Sequence, residues 1–235
     1  MYIYLKSPKY CTRAEYTYIT GIAQSLENAI FARDGIDPTT GKHFSEIIDV
    51  PSLVLKLTLE EVIKNYDANR TSQFFYKPCD DVSTLLMAGP VWDYDSSYGC
   101  YAIAKHPDAT LPTGLYVVTG KGLSGADSRF WYPALYSHSE VSEGVQQAYR
   151  TVYREGIAIL LGEKTDPLNR LHSLDDYAAS ITVAAQLDSI RWPYEKISPN
   201  VANSGTDLAS SITFLKEWLT QRRDYLDKAW NVQTQ

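Results

Sequence analysis

Asp49-Val50-Pro51-Ser52 opens a segment in which Leu53, Leu55, Leu57, Leu59, Val62 and Ile63 follow in close succession. Proline in a first helical turn suits a helix start, because its missing N–H is one of those a helix leaves unpaired. A helix this apolar on all sides has to be buried. The rest of the chain must therefore wrap around it as a core helix. The helix runs out near Asn65, where the chain turns polar: Asn65-Tyr66-Asp67, then Asn69, Arg70 and Ser72.

Other segments carry helical spacing. Thr12-Arg13-Ala14-Glu15 has the form of a capping box, with a hydroxyl at the N-cap and a carboxylate three residues on. Ile19, Ile22, Ala23, Leu26, Ala29 and Ile30 then recur on one face as far as Asp34-Gly35. Further helices are predicted over Phe130 to Leu135, Val141 to Leu161, Ser173 to Ile190 and Thr206 to Ala229. The last places Ile212, Leu215, Leu219 and Leu226 on one face. Asp37 to Lys42, with Pro38 and Gly41, reads as a loop.

The β content is small. Tyr2 to Lys6 reads as a short strand, and Leu115 to Val118 as another within an irregular segment from His106 to Asp127. The aromatic run Gln73 to Lys77 and the stretch Ser83 to Val91 flank a turn at Pro78 to Asp81, which predicts a β-hairpin. The expected fold is α+β, mostly α, as a single domain over residues 1–235 with a small antiparallel hairpin.

That hairpin leads into Gly89-Pro90-Val91-Trp92-Asp93-Tyr94-Asp95-Ser96-Ser97-Tyr98-Gly99. If the strand continues through it, Asp93 and Asp95 share one face. Like charges so close need a cation or hydrogen-bond donors. Mg²⁺ takes one or two protein carboxylates together with substrate phosphates, and Asp67 would bring a third carboxylate suited to proton handling. The same residues also suit turns: Asp93 and Asp95 can cap backbone N–H groups, and Asp67 and Asn69 can close the helix with Arg70 paired to Asp67. Glu61 and Asn65 are four apart and share a helix face, which marks either a polar cluster near the site or a solvated edge.

Composition excludes several classes. The chain has 235 residues, 44% apolar and 21% charged, the make-up of an ordinary globular protein. A net charge of −6 without a long basic run argues against nucleic acid as a partner. No stretch approaches the ~20 apolar residues of a membrane span, and Met1 to Lys6 lacks the basic start and apolar core of a signal peptide. Cys11, Cys79 and Cys100 form neither a disulfide framework nor a zinc site, leaving room for one Cys79–Cys100 bridge. His43, His106, His138 and His172 are isolated, and no Gly-x-Ser-x-Gly elbow occurs. Gly120 to Gly125 lacks the order of a phosphate-binding loop. Arg191-Trp192 and Arg222-Arg223 read as structural, by stacking on aromatics or pairing with a buried carboxylate.

Taken together, Asn65-Tyr66-Asp67, Ser72, Tyr76-Lys77, the run from Gly89 to Asp95 and Gly99 resemble the spore coat protein H (CotH) kinase family. Tyr4 to Pro8, the helix from Glu15 with Glu27, Ile48 to Ser52, Trp131, Arg191-Trp192 and Leu215 to Leu226 with Arg222 extend the resemblance over nearly the whole chain. It implies an atypical, secreted or surface-associated kinase with a remote protein-kinase-like fold. Such an enzyme uses ATP and Mg²⁺ or Mn²⁺ to phosphorylate Ser or Thr on a protein substrate. By the resemblance, Asp67 is the catalytic-loop aspartate, Asp93 the metal-binding aspartate and Asp95 a second metal ligand. Ser72 stands where active members often carry Asn and would face the cofactor with Asp93. The chain is expected to be the C-terminal part of the kinase domain, lacking the lysine-bearing lobe that clamps nucleotide and inactive alone. A non-catalytic surface or coat-assembly module is the alternative expectation.

Overall fold

The computed structural model describes residues 3–100, 107–121, 130–193 and 207–232. Its fold is α+β and mostly α, with one two-stranded antiparallel sheet among the described residues. Helix α1 spans Arg13–Phe31 and α2 Val50–Val62. Strands β1 and β2 cover Phe75–Tyr76 and Met87–Ala88. Helices α3 (Trp131–Tyr136), α4 (Ser139–Ala148), α5 (Arg154–Leu160), α6 (Leu174–Arg191) and α7 (Leu208–Ala229) follow.

The helix starts follow local chemistry. Thr12 Oγ1 accepts from Glu15 N at 3.2 Å, and Glu15 Oε2 accepts from Thr12 N at 2.7 Å, completing the predicted capping box. Asp49 Oδ1 accepts from Ser52 N at 2.8 Å and caps α2. The segment predicted as one helix from Val141 to Leu161 is α4 and α5 joined by a π-helical turn, Tyr149–Tyr153. That turn inserts the buried Tyr149, whose ring meets Trp230 edge-on at 5.0 Å.

Helix α2 is the centre of the core, as its composition requires. Leu53, Leu57, Val62 and Ile63 join Leu26 and Ile30 of α1, Val141 and Val145 of α4, and Leu219 and Leu226 of α7 in one apolar cluster. Helices α2 and α4 approach closely because Gly144 has no side chain: a Cβ there would lie 2.9 Å from Val54 Cγ2.

Three further predicted features differ. Residues 3–6 form no strand, and Met1 and Tyr2 lie outside the described residues. The hairpin is shorter than predicted, with Phe75 opposite Ala88 and Tyr76 opposite Met87. Gly89 N still donates to Phe74 O at 2.9 Å, but Pro90 has no N–H with which to continue the ladder. Residues 115–118 form no strand either, because two of their amides are taken by a side-chain carboxylate. Cys11, Cys79 and Cys100 are all free, so the Cys79–Cys100 bridge that the sequence left open is not formed.

Candidate functional site

The chain leaves α2 through a tight turn. Asn65 Oδ1 accepts from Asp67 N at 3.1 Å, and Asp67 O accepts from Arg70 N at 2.8 Å and Thr71 N at 3.0 Å. The run that begins at Gly89 lies across this turn. Tyr66 N donates to Ser96 O at 2.9 Å, and Tyr98 N donates to Ile63 O at 2.8 Å. These backbone bonds bring Asp67 beside Asp93 and Asp95, joining residues 26 and 28 positions apart in sequence.

The electrostatics reflect that approach. Asp67 is half-buried, whereas Asp93 and Asp95 are exposed. Burial raises the Asp67 carboxyl above its ordinary range, and the charges of Asp93 and Asp95 raise it further. Arg70 and a hydrogen bond with the Ser96 side chain act in the opposite direction. Arg70 is not simply a pairing partner for Asp67: its guanidinium carbon sits 4.4 Å from the centroid of the Tyr66 ring.

Ser72 completes the group. Its Oγ donates to Asp93 Oδ2 at 2.9 Å. Both residues have left-handed backbones, with φ of 56° at Ser72 and 66° at Asp93. Non-glycine residues rarely adopt that region, although aspartate is among those that do, and such backbones concentrate at functional sites. This conformation also overturns the expected strand-borne Asp-x-Asp. Asp93 lies outside any strand with a left-handed backbone, so its side chain does not alternate with that of Asp95 as on a pleated strand.

All of the predicted site residues, Asp67, Ser72, Asp93 and Asp95, are therefore brought together. Their donors are all oxygen, two exposed carboxylates and a hydroxyl with free lone pairs, which is the chemistry a hard cation takes. Among the described residues no group of three His, Cys, Asp or Glu side chains is placed to hold a metal ion by itself. A cation here would complete its shell with water and substrate phosphate, the habit of Mg²⁺.

Beneath the site lies a buried polar layer carried by α2. Glu61 and Asn65 are both fully buried, which rules out the solvated edge and leaves the polar cluster. Glu61 Oε1 accepts from Tyr116 N at 3.0 Å and from Arg222 Nη2 at 2.6 Å, and Oε2 accepts from Val118 N at 2.9 Å. Arg222 also donates to the carbonyls of Val62, Pro112 and Gly114. Lys64 Nζ reaches the carbonyls of Asp108, Leu111 and Thr113 at 2.6 to 2.8 Å. Asn69 Nδ2 donates to Val117 O at 2.8 Å. The described part of the long segment after Asp95 is thus tied down from below. Gly99 helps to close this layer: its φ is +76°, and a Cβ there would lie 2.5 Å from Trp218 Nε1 and 2.7 Å from Thr110 O.

Glu60 and Lys56 were passed over in the sequence, yet both are buried and lie directly under the site. Lys56 Nζ and Tyr94 OH each donate to Glu60 Oε1 at 2.9 Å, and Asn65 Nδ2 donates to Oε2 at 2.7 Å. The available signal was a lysine and a glutamate four residues apart inside an otherwise apolar helix. Trp131 Nε1 donates to Glu27 Oε1 at 3.3 Å, joining two more residues of the family resemblance.

No curated protein and no solved structure is detectably similar to this chain. The family model described as CotH kinase protein, in contrast, matches residues 3–226. That match covers most of the chain, and the chain belongs to the CotH kinase family.

Proposed function

We propose that this chain carries the acceptor-side and metal-side groups for transfer of a phosphoryl group from ATP to a Ser or Thr hydroxyl of a protein. One observation carries the reading. Asp67 is placed next to Asp93 and Asp95, whose charges it feels, while Ser72 holds Asp93. A base-like aspartate followed by metal-binding aspartates is the order found in kinases.

Mg²⁺ or Mn²⁺, when bound, would offset the charge on the phosphates. Asp67 accepts a hydrogen bond from the acceptor hydroxyl and orients its oxygen for attack. Its raised pKa suits it to take up the hydroxyl proton. Asp93 and Asp95 present carboxylate oxygens to the cation, and the Ser72 bond fixes one oxygen of Asp93. The shared apolar core supports reading residues 1–235 as a single domain of such an enzyme. Family membership supports an extracellular or surface-associated setting.

The test is a titration of MgATP into the full-length protein and its Asp93→Ala and Asp67→Asn variants, with a protein-phosphorylation assay. Asp93→Ala should weaken MgATP binding at least tenfold. Asp67→Asn should bind MgATP normally and transfer at least a hundredfold more slowly. Equal affinity in wild type and Asp93→Ala removes the metal assignment. Absence of any transfer by the wild type under Mg²⁺ or Mn²⁺ favours a non-catalytic assembly module.

A further inference from the structure

Glu60 is fully buried, and both of its carboxylate oxygens are engaged. Oε1 receives Tyr94 OH at 2.9 Å, and Tyr94 is the residue between Asp93 and Asp95. Oε2 receives Asn65 Nδ2 at 2.7 Å, and the other end of that amide, Oδ1, receives the backbone N–H of Asp67 at 3.1 Å. One carboxylate therefore reaches both runs of the site, each through a single intervening side chain.

The other links between these runs include the backbone bonds at Ser96 and Tyr98 and the hydrogen bond of the Asp67 carboxylate with the Ser96 side chain, all beyond Asp95. Ahead of Asp95, Ser72 ties Asp93 to the loop beyond Asp67 at an exposed position. Glu60 supplies the buried tie. Lys56 Nζ, at 2.9 Å, balances its charge. Bonds to an ionised acceptor are shorter and stronger than neutral ones, and one left unmade in the interior is costly. The carboxylate is thus held in one place by three donors from three directions.

We propose that Glu60 is a positioning residue that sets the separation of Asp67 from Asp93 and Asp95, acting through the Tyr94 hydroxyl and the Asn65 amide. The inference rests on the phosphoryl-transfer reading for its consequence, but not for its geometry. A purely structural Glu60 would hold the fold together and leave the site's internal spacing to the backbone.

Tyr94→Phe separates the two. It deletes one O–H and keeps the ring, including its place 5.9 Å from Lys56 Nζ. Two measurements on the full-length protein are needed. In steady-state phosphorylation, kcat should fall at least tenfold while KM for MgATP stays within threefold. In amide hydrogen exchange, residues 64–68 and 92–98 should exchange at least tenfold faster while α1 and α7 keep their wild-type rates. Glu60→Gln added to Tyr94→Phe should lower kcat by much less than it does in wild type, since the tie is already cut. Wild-type kcat together with wild-type exchange in Tyr94→Phe overturns the proposal. So does a loss of activity matched by faster exchange throughout the chain. A wild-type protein that transfers nothing defeats the functional reading instead. The exchange data then decide the tie alone, with faster exchange confined to both runs supporting it and unchanged exchange refuting it.

Discussion

Glu60 and Glu61 are neighbours in sequence and equally buried, yet they serve different partners. Glu60 is balanced by Lys56, one helical turn earlier on α2. It faces the two runs that carry the candidate chemistry. Glu61 is balanced by Arg222, which arrives on α7 from 161 residues away. It holds the backbone of residues 116–118. The local pair supports the site, and the distant pair closes the fold around it. Two adjacent carboxylates differ because consecutive side chains on a helix point about 100° apart and meet different neighbours.

The comparison can be broken most severely at Arg222. Arg222→Met leaves Glu61 buried with no cation and frees the carbonyls of Val62, Pro112 and Gly114. Removing one partner of a buried pair costs about 3–5 kcal/mol, so denaturant unfolding should show a loss of that size or no folded protein at all. Lys56→Met should do less, about 3 kcal/mol, because Lys56 makes the one bond to Glu60 whereas Arg222 also serves three carbonyls. If the two variants lose equal stability in the same unfolding experiment, the division between a closing pair and a supporting pair is wrong. Thr12→Ala removes a cap that is local and exposed. It should cost about 1 kcal/mol and leave phosphorylation unaffected.

The smallest expected effect sharpens the comparison at the site itself. Asp67 must be ionised to accept a proton, and its pKa is raised by burial, then by Asp93 and Asp95. Activity should therefore fall as pH drops through a value above that of an ordinary aspartate. Asp95→Asn removes one repelling charge, so the acid limb of kcat/KM should move to lower pH by a fraction of a unit. An acid limb unmoved in Asp95→Asn would mean that Asp67 does not govern it.

Much of the fold was legible because its signals are short-range. The capping box at Thr12, the cap at Asp49, and the apolar spacing of α1 and α7 all act within a few residues, and all stand where predicted. The site residues Asp67, Ser72, Asp93 and Asp95 were legible as a set through the family resemblance, while spacing alone left turn readings open. The failures came where local patterns lost to distant groups. Residues 115–118 are a short apolar run that reads as a strand, but Glu61 takes the amides of Tyr116 and Val118. Asp93 looked strand-borne, but the ladder stops before Pro90 and the aspartate turns to φ 66°.

By itself, then, the sequence determined that an apolar helix from Asp49 would be buried, that helices would dominate, and which carboxylates were candidates for chemistry. Those properties depend on hydrogen bonds and apolar spacing within a turn or two of the chain. Only the tertiary structure decided that Glu60 would lie beneath both site runs, that Glu61 would meet Arg222, and that Asp67 would feel Asp93 and Asp95. The last two join residues 161 and 26 positions apart in sequence. A buried charge whose partner lies on another segment, like Glu61, meets it only when the core has closed around both.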